Sequence, residues 1–385
     1  MADAKIDVLL VADPRFAGGT SSALATDCRA LVALGMKIGL LRVSSSFLET
    51  GRNAPSPDVL ALLDLPEVRD VAPGSTVTAK AAFFHHPLAF RREVPERAVV
   101  RADRAVVVAH HTPFRGDGSL EYDPLAVTRR IRRGFGARVW WAPNSELTRR
   151  HLRSFSPLIR LTSENWFNLF DVRRFRAARP AFGAGAPTVG RHGRADPLKW
   201  PDRAEAAAAS LPTAEGWRVR IMGCPRPALE ARGVDLSRWE VLDFNAEPVR
   251  DFLESLDVFS YHFSESLVES FGRTVVEAML MERPCVLDPR LEATFRGLAS
   301  FCRPEETAAV LSRLRDDPGA ARAAAARARE ACVRRYAIDS IGERMSRLLA
   351  DPGVRSRAGE KEARLLAAAR KYVGHHRRAL QGMSP

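Results

Sequence analysis

The sequence predicts an α/β fold: two consecutive α/β domains with parallel sheets, followed by a C-terminal helical segment. Three observations carry this prediction. Short apolar runs rich in β-branched residues alternate with helical stretches in residues 1–172, and the alternation starts again at residue 188. Between them, DVRRFRAARPAFGAGAP at 171–187 has no period and is dense in Arg, Ala, Gly and Pro, so residues 173–187 read as a linker. From Pro318 onward strong helix formers dominate. A chain of 385 residues is ample for two domains of ordinary size.

The elements follow in order. KIDVLLVAD is a strand, and PRFAGGTSS is the loop after it. SALATDCRALVALG is a helix, started by Thr20 or Ser21 as its cap and ended by Gly35. KIGLLRVS, KAAFFHH, AVVVAHH and RVWWAPNS are further strands. They stop at His85, His86, His110, His111, Asn144 and Ser145, and parallel sheets bind ligands at such carboxyl ends. In the second half TVGRHGR, WRVRIMG, WEVLDFN, LDVFSYHF and PCVLD read as strands, with EPVRDFLESLD as a helix. The second domain is placed at 188–330 and the C-terminal helices at 331–385, the first of them packing back on the N-terminal domain.

Composition bounds the function. With 46% hydrophobic and 27% charged residues, the chain has a globular make-up. MADAKIDVLLVAD reads as a first strand, not a leader, and no apolar run reaches the length of a membrane span. Cys28, Cys224, Cys285, Cys302 and Cys332 are scattered, so they read as reduced, mostly buried thiols of a cytoplasmic protein. The net charge of +13 suits polyanionic partners, but Arg-rich and Ala-rich usage accounts for it equally well.

The most informative stretch is ESFGRTVVEAM, where Glu269 and Glu277 stand eight residues apart at a helix start. The helix begins at Gly272 or Arg273, and its body is apolar, so Glu277 is a carboxylate in a buried setting that asks for hydrogen bonds. Free N–H groups of a first helical turn favour an anion, typically a phosphate. Two hydroxyl acceptors thus flank a phosphate site, the layout of a nucleotide sugar.

DVFSYHFSESLVESFGRTVVEAMLMERPCVL resembles the E-x7-E region of retaining glycosyltransferases of the GT-B fold, in particular family 4. The resemblance covers most of residues 1–350 and is closest at 188–290. It implies two Rossmann-like domains, the N-terminal one on the acceptor side and the second binding the donor. In VGRHGRADPLKWPD, it gives Arg191 and Lys199 the grip on the donor diphosphate, with Arg194 as a rival. It gives Glu269 the sugar hydroxyls and Glu277 the ribose. Phe271, Gly272 and Arg273 join the donor site, and Phe244 and Asn245 lie beside the base. His110 would contact the donor sugar, with His111 as second choice, and Gly18 and Gly19 would lie near sugar and acceptor. His85 and His86 read as structural.

Asp-x-Asp is missing from the chain, so no metal and no cofactor are expected: fixed cations and the helix N-terminus would neutralise the diphosphate. Two departures stand out. Glu282 and Arg283 occupy the place of a family glycine, and DPRLEATFRG replaces a Gly-Gly loop. The expected activity is transfer of a hexose-like sugar to an acceptor hydroxyl (a glycan, a lipid-linked or a small-molecule acceptor) in cell-surface polysaccharide biosynthesis. The alternatives are a nucleotide-sugar hydrolase or epimerase, and a non-catalytic binding protein. A nucleic-acid partner ranks last, because no such motif is present. From Arg355 to Arg378 the chain carries eight Lys or Arg against Glu360 and Glu362. Its narrow apolar stripe favours a solvated helix packed on the N-terminal domain; the alternative is peripheral contact with an anionic membrane.

Overall fold

The computed structural model describes residues 6–16, 18–46, 48, 53–156, 158–183, 185–213, 216–353 and 365–380. The chain forms two compact units, Met1–Phe170 with Ile338–Pro385, and Asp171–Ala337.

The first unit runs β1 (Val8–Ala12), α1 (Gly19–Ala33), β2 (Ile38–Arg42), the single turn α2 (Pro57–Leu60), β3 (Val68–Asp70), β4 (Thr76–His85), β5 (Val99–Ala109), α3 (Pro124–Phe135), β6 (Val139–Pro143) and α4 (Glu146–Leu152). Its strands pair in parallel in the order β3-β2-β1-β4-β5-β6. Successive strand residues point to opposite faces, and both faces are covered. Leu9, Val11, Phe84 and Val107 pack with Phe135 and Trp141 on one side. Val8, Leu10, Phe83 and Val106 pack with Leu24 on the other. The start of α1 corrects the sequence reading. Its N-cap is Gly18, at φ +79°, with no side-chain cap. Thr20 and Ser21 lie inside the first turn instead of at the cap, and the Ser21 hydroxyl donates back to the carbonyl of Phe16. Gly35 ends the helix as expected, at φ +75°.

The second unit runs β7 (Thr188–His192), α5 (Ala204–Ala209), β8 (Arg218–Met222), α6 (Arg226–Ala231), β9 (Trp239–Leu242), α7 (Val249–Ser255), β10 (Val258–Tyr261), α8 (Arg273–Leu280), β11 (Cys285–Leu287), α9 (Glu292–Phe295), β12 (Ser300–Phe301), α10 (Thr307–Asp316) and α11 (Pro318–Tyr336). The parallel order β9-β8-β7-β10-β11-β12 repeats that of the first sheet, strand for strand. β7 and β8 lie so close at Gly190 that a Cβ there would stand 2.1 Å from the Arg220 carbonyl oxygen.

Residues expected as a linker are fastened to this unit. Glu254 accepts the N–H groups of Ala178 and Arg179, and Asp257 accepts those of Phe182 and Thr188. The domain end expected at 330 falls inside α11, whose helix formers continue to Tyr336. That ring is buried edge-on against Phe271, 5.4 Å between centroids.

The chain then adds α12 (Ile341–Ala350) and α13 (Leu365–Leu380) to the first unit. Ile341, Met345 and Leu348 of α12 join the core on the α1 side. α13 is held by Asp123, the N-cap of α3, which accepts from the Tyr372 hydroxyl (2.7 Å) and stands 3.1 Å from His376 Nε2. Residues 354–364 and 381–385 of the expected basic segment lie outside the described residues. Among the described residues no helix is long and apolar enough to cross a membrane.

Candidate functional site

In a sheet of this order the strand direction of connection reverses between the first and fourth strands, and ligands bind at the carboxyl ends there. In the second unit that point lies between β7 and β10. β7 delivers Arg191 and His192, β10 delivers Tyr261 and His262, and the loop after β10 carries Glu269 to the N-terminus of α8. Glu269 accepts from the Tyr261 hydroxyl at 2.7 Å and from Lys199 Nζ at 3.2 Å, while Nζ stands 3.3 Å from the phenol oxygen. Burial works against the Lys199 charge, but Glu269 and Tyr261 more than offset it and hold the ammonium above its ordinary value. Burial likewise pushes the Glu269 carboxyl up. Lys199, Tyr261 and the Gly272 N–H outweigh it and keep the carboxyl below the ordinary range.

Arg191 corrects the expectation of a fork open to phosphate. It is 3% exposed, with Nη1 donating to the His262 carbonyl (2.8 Å) and Nη2 to that of Lys199 (2.6 Å). Its guanidinium lies 4.3 Å from the Trp200 ring centre and 4.5 Å from that of Tyr261. Burial lowers its pKa to about 10, so it stays charged: a fixed cation beneath Lys199, Tyr261 and Glu269.

α8 starts at Gly272, at φ +80°, where no side chain caps it. Phe271 turns its ring into the core, which corrects its expected place at the ligand: only its backbone remains for one. Glu277, one turn in, has His192 Nε2 at 3.4 Å and Arg273 Nη2 at 3.7 Å, both too far for well-formed hydrogen bonds. Burial raises the Glu277 carboxyl, and Arg273 and Lys199 pull it partway back. Burial, then Lys199 and Arg191, lowers His192 to about 3, so this ring is neutral. Phe244 is 47% exposed in the loop after β9, next to Asn245 at φ +62°. Arg194 is exposed and 3.7 Å from Asp196.

The loop that carries Glu269 is held from two sides. Asp202 accepts from the Ser264 hydroxyl and the Glu265 N–H. Arg290 donates to the carbonyls of Phe263 (2.8 Å) and Ser264 (2.9 Å) and pairs with Asp288 at 2.7 Å. The Asp288–Pro289–Arg290 corner after β11 is thus what replaces the glycine loop. Its twin, Asp13–Pro14–Arg15, follows β1, where Arg15 pairs with Asp13 (2.7 Å) and donates to the Ser45 carbonyl (2.7 Å). The other departure sits in a strained backbone: Glu282 has φ +53°.

In the first unit the corresponding point lies between β1 and β4 and is ringed by histidines. His85 Nδ1 is 3.1 Å from His110 Nε2, so one ring donates to the other. Phe16 stacks on His86 at 4.3 Å, and His86 stands 6.2 Å from His111 in near-parallel rings. Burial drives His85 and His86 well below the ordinary imidazole value, and neighbouring rings add to it, so both are neutral. His85 is not the satisfied structural histidine expected, because its Nε2 is buried without a hydrogen bond. Asn144 Nδ2 donates to the His110 carbonyl, and the Tyr122 hydroxyl donates to that of His111. Gly18 and Gly19 open α1. Among the described residues no group of three or more His, Cys, Asp or Glu is arranged to hold a metal ion.

The structure therefore gathers Arg191, Lys199, Glu269, Gly272, Arg273 and Glu277 at one sheet end, and Gly18, Gly19, His110 and His111 at the other unit's sheet end. Sequence reasoning missed Tyr261, His192, Asp202 and the Asp288–Arg290 corner. The signals were a tyrosine closing a strand and the repeated Asp-Pro-Arg.

No family profile matches the chain, and no curated protein does. Solved structures do. HepE of Anabaena, in complex with UDP and glucose, is 15% identical with a TM-score of 0.60, over 90% of this chain and 99% of that one. WaaG, a glycosyltransferase involved in lipopolysaccharide biosynthesis, is 12% identical with a TM-score of 0.55, over 89% and 99%. Trehalose-6-phosphate synthase OtsA is 13% identical with a TM-score of 0.55, over 90% and 100%. Two parallel sheets of one strand order, and this likeness along nearly the whole chain, give the protein the GT-B fold.

Proposed function

We propose that the protein is a retaining glycosyltransferase that moves a sugar from a nucleoside-diphosphate sugar to an acceptor hydroxyl. The observation that carries this is the Lys199–Tyr261–Glu269 cluster, set beside the uncapped N-terminus of α8 with Glu277 one turn further in. The diphosphate lies on that helix end and on Lys199, above the buried charge of Arg191. As the glycosidic bond breaks, negative charge grows on the leaving phosphate, and cations already fixed there stabilise it without reorganisation. Glu269 takes sugar hydroxyls. Glu277, short of hydrogen bonds and raised by burial, takes the ribose hydroxyls. Phe244 and Asn245 face the base. In the first unit His110, with His111, Gly18 and Gly19, forms the acceptor-side end of the sheet.

The acceptor hydroxyl attacks the anomeric carbon from the face the leaving group departs, and its proton passes to a phosphate oxygen. Neither glutamate forms a covalent bond. On this reading Lys199, Arg191 and the helix end take the part a metal ion would play at the diphosphate. That HepE was solved with UDP and glucose makes UDP-glucose the first donor to try, and that WaaG is involved in lipopolysaccharide biosynthesis makes cell-surface glycan assembly the first acceptor class.

The test is a melting-temperature screen with several nucleotide sugars, followed by transfer assays with and without EDTA. A shift with one donor, and transfer that survives EDTA, is the expected result. No shift with any nucleotide sugar overturns the proposal. Full turnover without an acceptor replaces it by a hydrolase or epimerase, and binding without turnover by a binding protein.

A further inference from the structure

One side of the first unit carries α3, α4 with the turn after it, and α13. Val127, Ile131, Leu152 and Phe155 from the first two lie in one core cluster, and Tyr372 of α13 packs on it. α13 is pinned inward by Tyr372 and His376 on Asp123 and by Lys371 on Ser154. Its outward face is therefore set. Leu366, Arg370, Val373 and Arg377 fall at i, i+4, i+7 and i+11, a single helical stripe. Leu366 is 73% exposed and Val373 49% exposed, and both arginines are exposed. The neighbouring elements add exposed Arg132, Arg150 and Arg153. Against these stands one exposed acid on the three elements, Glu146, which is hydrogen-bonded to Asn165.

We infer that this α3–α4–α13 face is a docking surface for an anionic lipid bilayer. Two aliphatic side chains between arginines on one helix face match a headgroup layer, where cations meet phosphates and the apolar groups reach the acyl boundary. A polyanion such as a nucleic acid would use the arginines and leave Leu366 and Val373 idle. The inference does not rest on the transferase reading, because docking needs no donor.

The full chain is tested by sedimentation with phosphatidylcholine vesicles, with and without phosphatidylglycerol. Binding only to the anionic vesicles, released by salt, is expected. Arg150→Glu with Arg370→Glu and Arg377→Glu should weaken it roughly a hundredfold. Leu366→Ser with Val373→Ser should weaken it severalfold. All five side chains are exposed, and unchanged melting temperatures certify the fold. Absence of binding to anionic vesicles, or an unaffected charge-reversal variant, overturns the inference. An unaffected Leu366→Ser, Val373→Ser protein that also binds duplex DNA does so too, in favour of a general polyanion surface.

Discussion

The two units share a strand order and end it in opposite chemistries. At the β1/β4 end the first unit presents imidazoles held neutral by burial, and its Asp13–Arg15 charges neutralise each other. At the β7/β10 end the second presents Lys199, Glu269, Arg273 and Glu277 above the buried charge of Arg191. The backbone supplies a place for a ligand, and the side chains at the strand ends decide its charge. A neutral end suits hydroxyl-bearing rings. A charged end suits a diphosphate with a sugar on one side and a ribose on the other.

The comparison is broken most directly at the charged end. Glu269→Gln keeps the shape and removes the charge that Lys199 faces. Turnover should fall about a hundredfold or more, while nucleoside-diphosphate affinity changes little. At the other end His110→Phe should cost about tenfold, the worth of one hydrogen bond. Equal losses in the two variants, read as kcat and KM, would erase the distinction.

The two glutamates sharpen it through pH. The Glu269 carboxyl is depressed in the folded protein, so its contribution to stability is present above the ordinary carboxylate value and is lost as pH falls through the depressed one. Glu277 is raised, so its stabilising contribution is present below the ordinary value and is lost as pH rises through the raised one. Glu277→Gln should therefore raise the melting temperature of the ligand-free protein at neutral pH and weaken donor binding about tenfold. Glu269→Gln should lower the melting temperature. Identical shifts would contradict the assignment. His192 and His262, lowered to about 3 and about 4, make the second unit lose stability as pH falls below the ordinary 6.5 of a free imidazole.

Tyr261→Phe removes one hydrogen bond from Glu269 and should lower turnover severalfold, at about 1 kcal/mol. A tyrosine that only fills space would show no change. The smallest effect on turnover, none, belongs to Glu282→Gly. It relieves a left-handed backbone and gives up the 3.6 Å contact with Arg329, so chemical unfolding should show a gain of about 1 kcal/mol.

Much of this was legible because it is local. Strand runs, the Gly35 end of α1, the start of α8, and the spacing of Glu269 and Glu277 depend on neighbours along the chain. The N-cap of α1 was misread because a cap serine was assumed to face its own helix, whereas Ser21 turns back to Phe16. Arg191 was read from its position alone, and nothing nearby in sequence announces that Trp200, Tyr261 and His262 enclose it. The domain end was set at 330 instead of 337 because helix formers run on from Pro318 with no change of pattern to mark where one unit stops. His85 looked inert because its partner, His110, lies a strand away.

The Asp-Pro-Arg corners bear on how the chain folds. In each, acid and arginine are two residues apart with a proline holding the bend, so the pair closes with almost no loop entropy. Such a corner can form before its sheet does. Its arginine then waits for one long-range event, the arrival of carbonyls just past the neighbouring strand of the sheet: Ser45 beyond β2 in the first unit, Phe263 and Ser264 beyond β10 in the second. The loop bearing Glu269 would then take its working shape as β10 docks beside β11, and folding of the second unit and assembly of its charged end become one step.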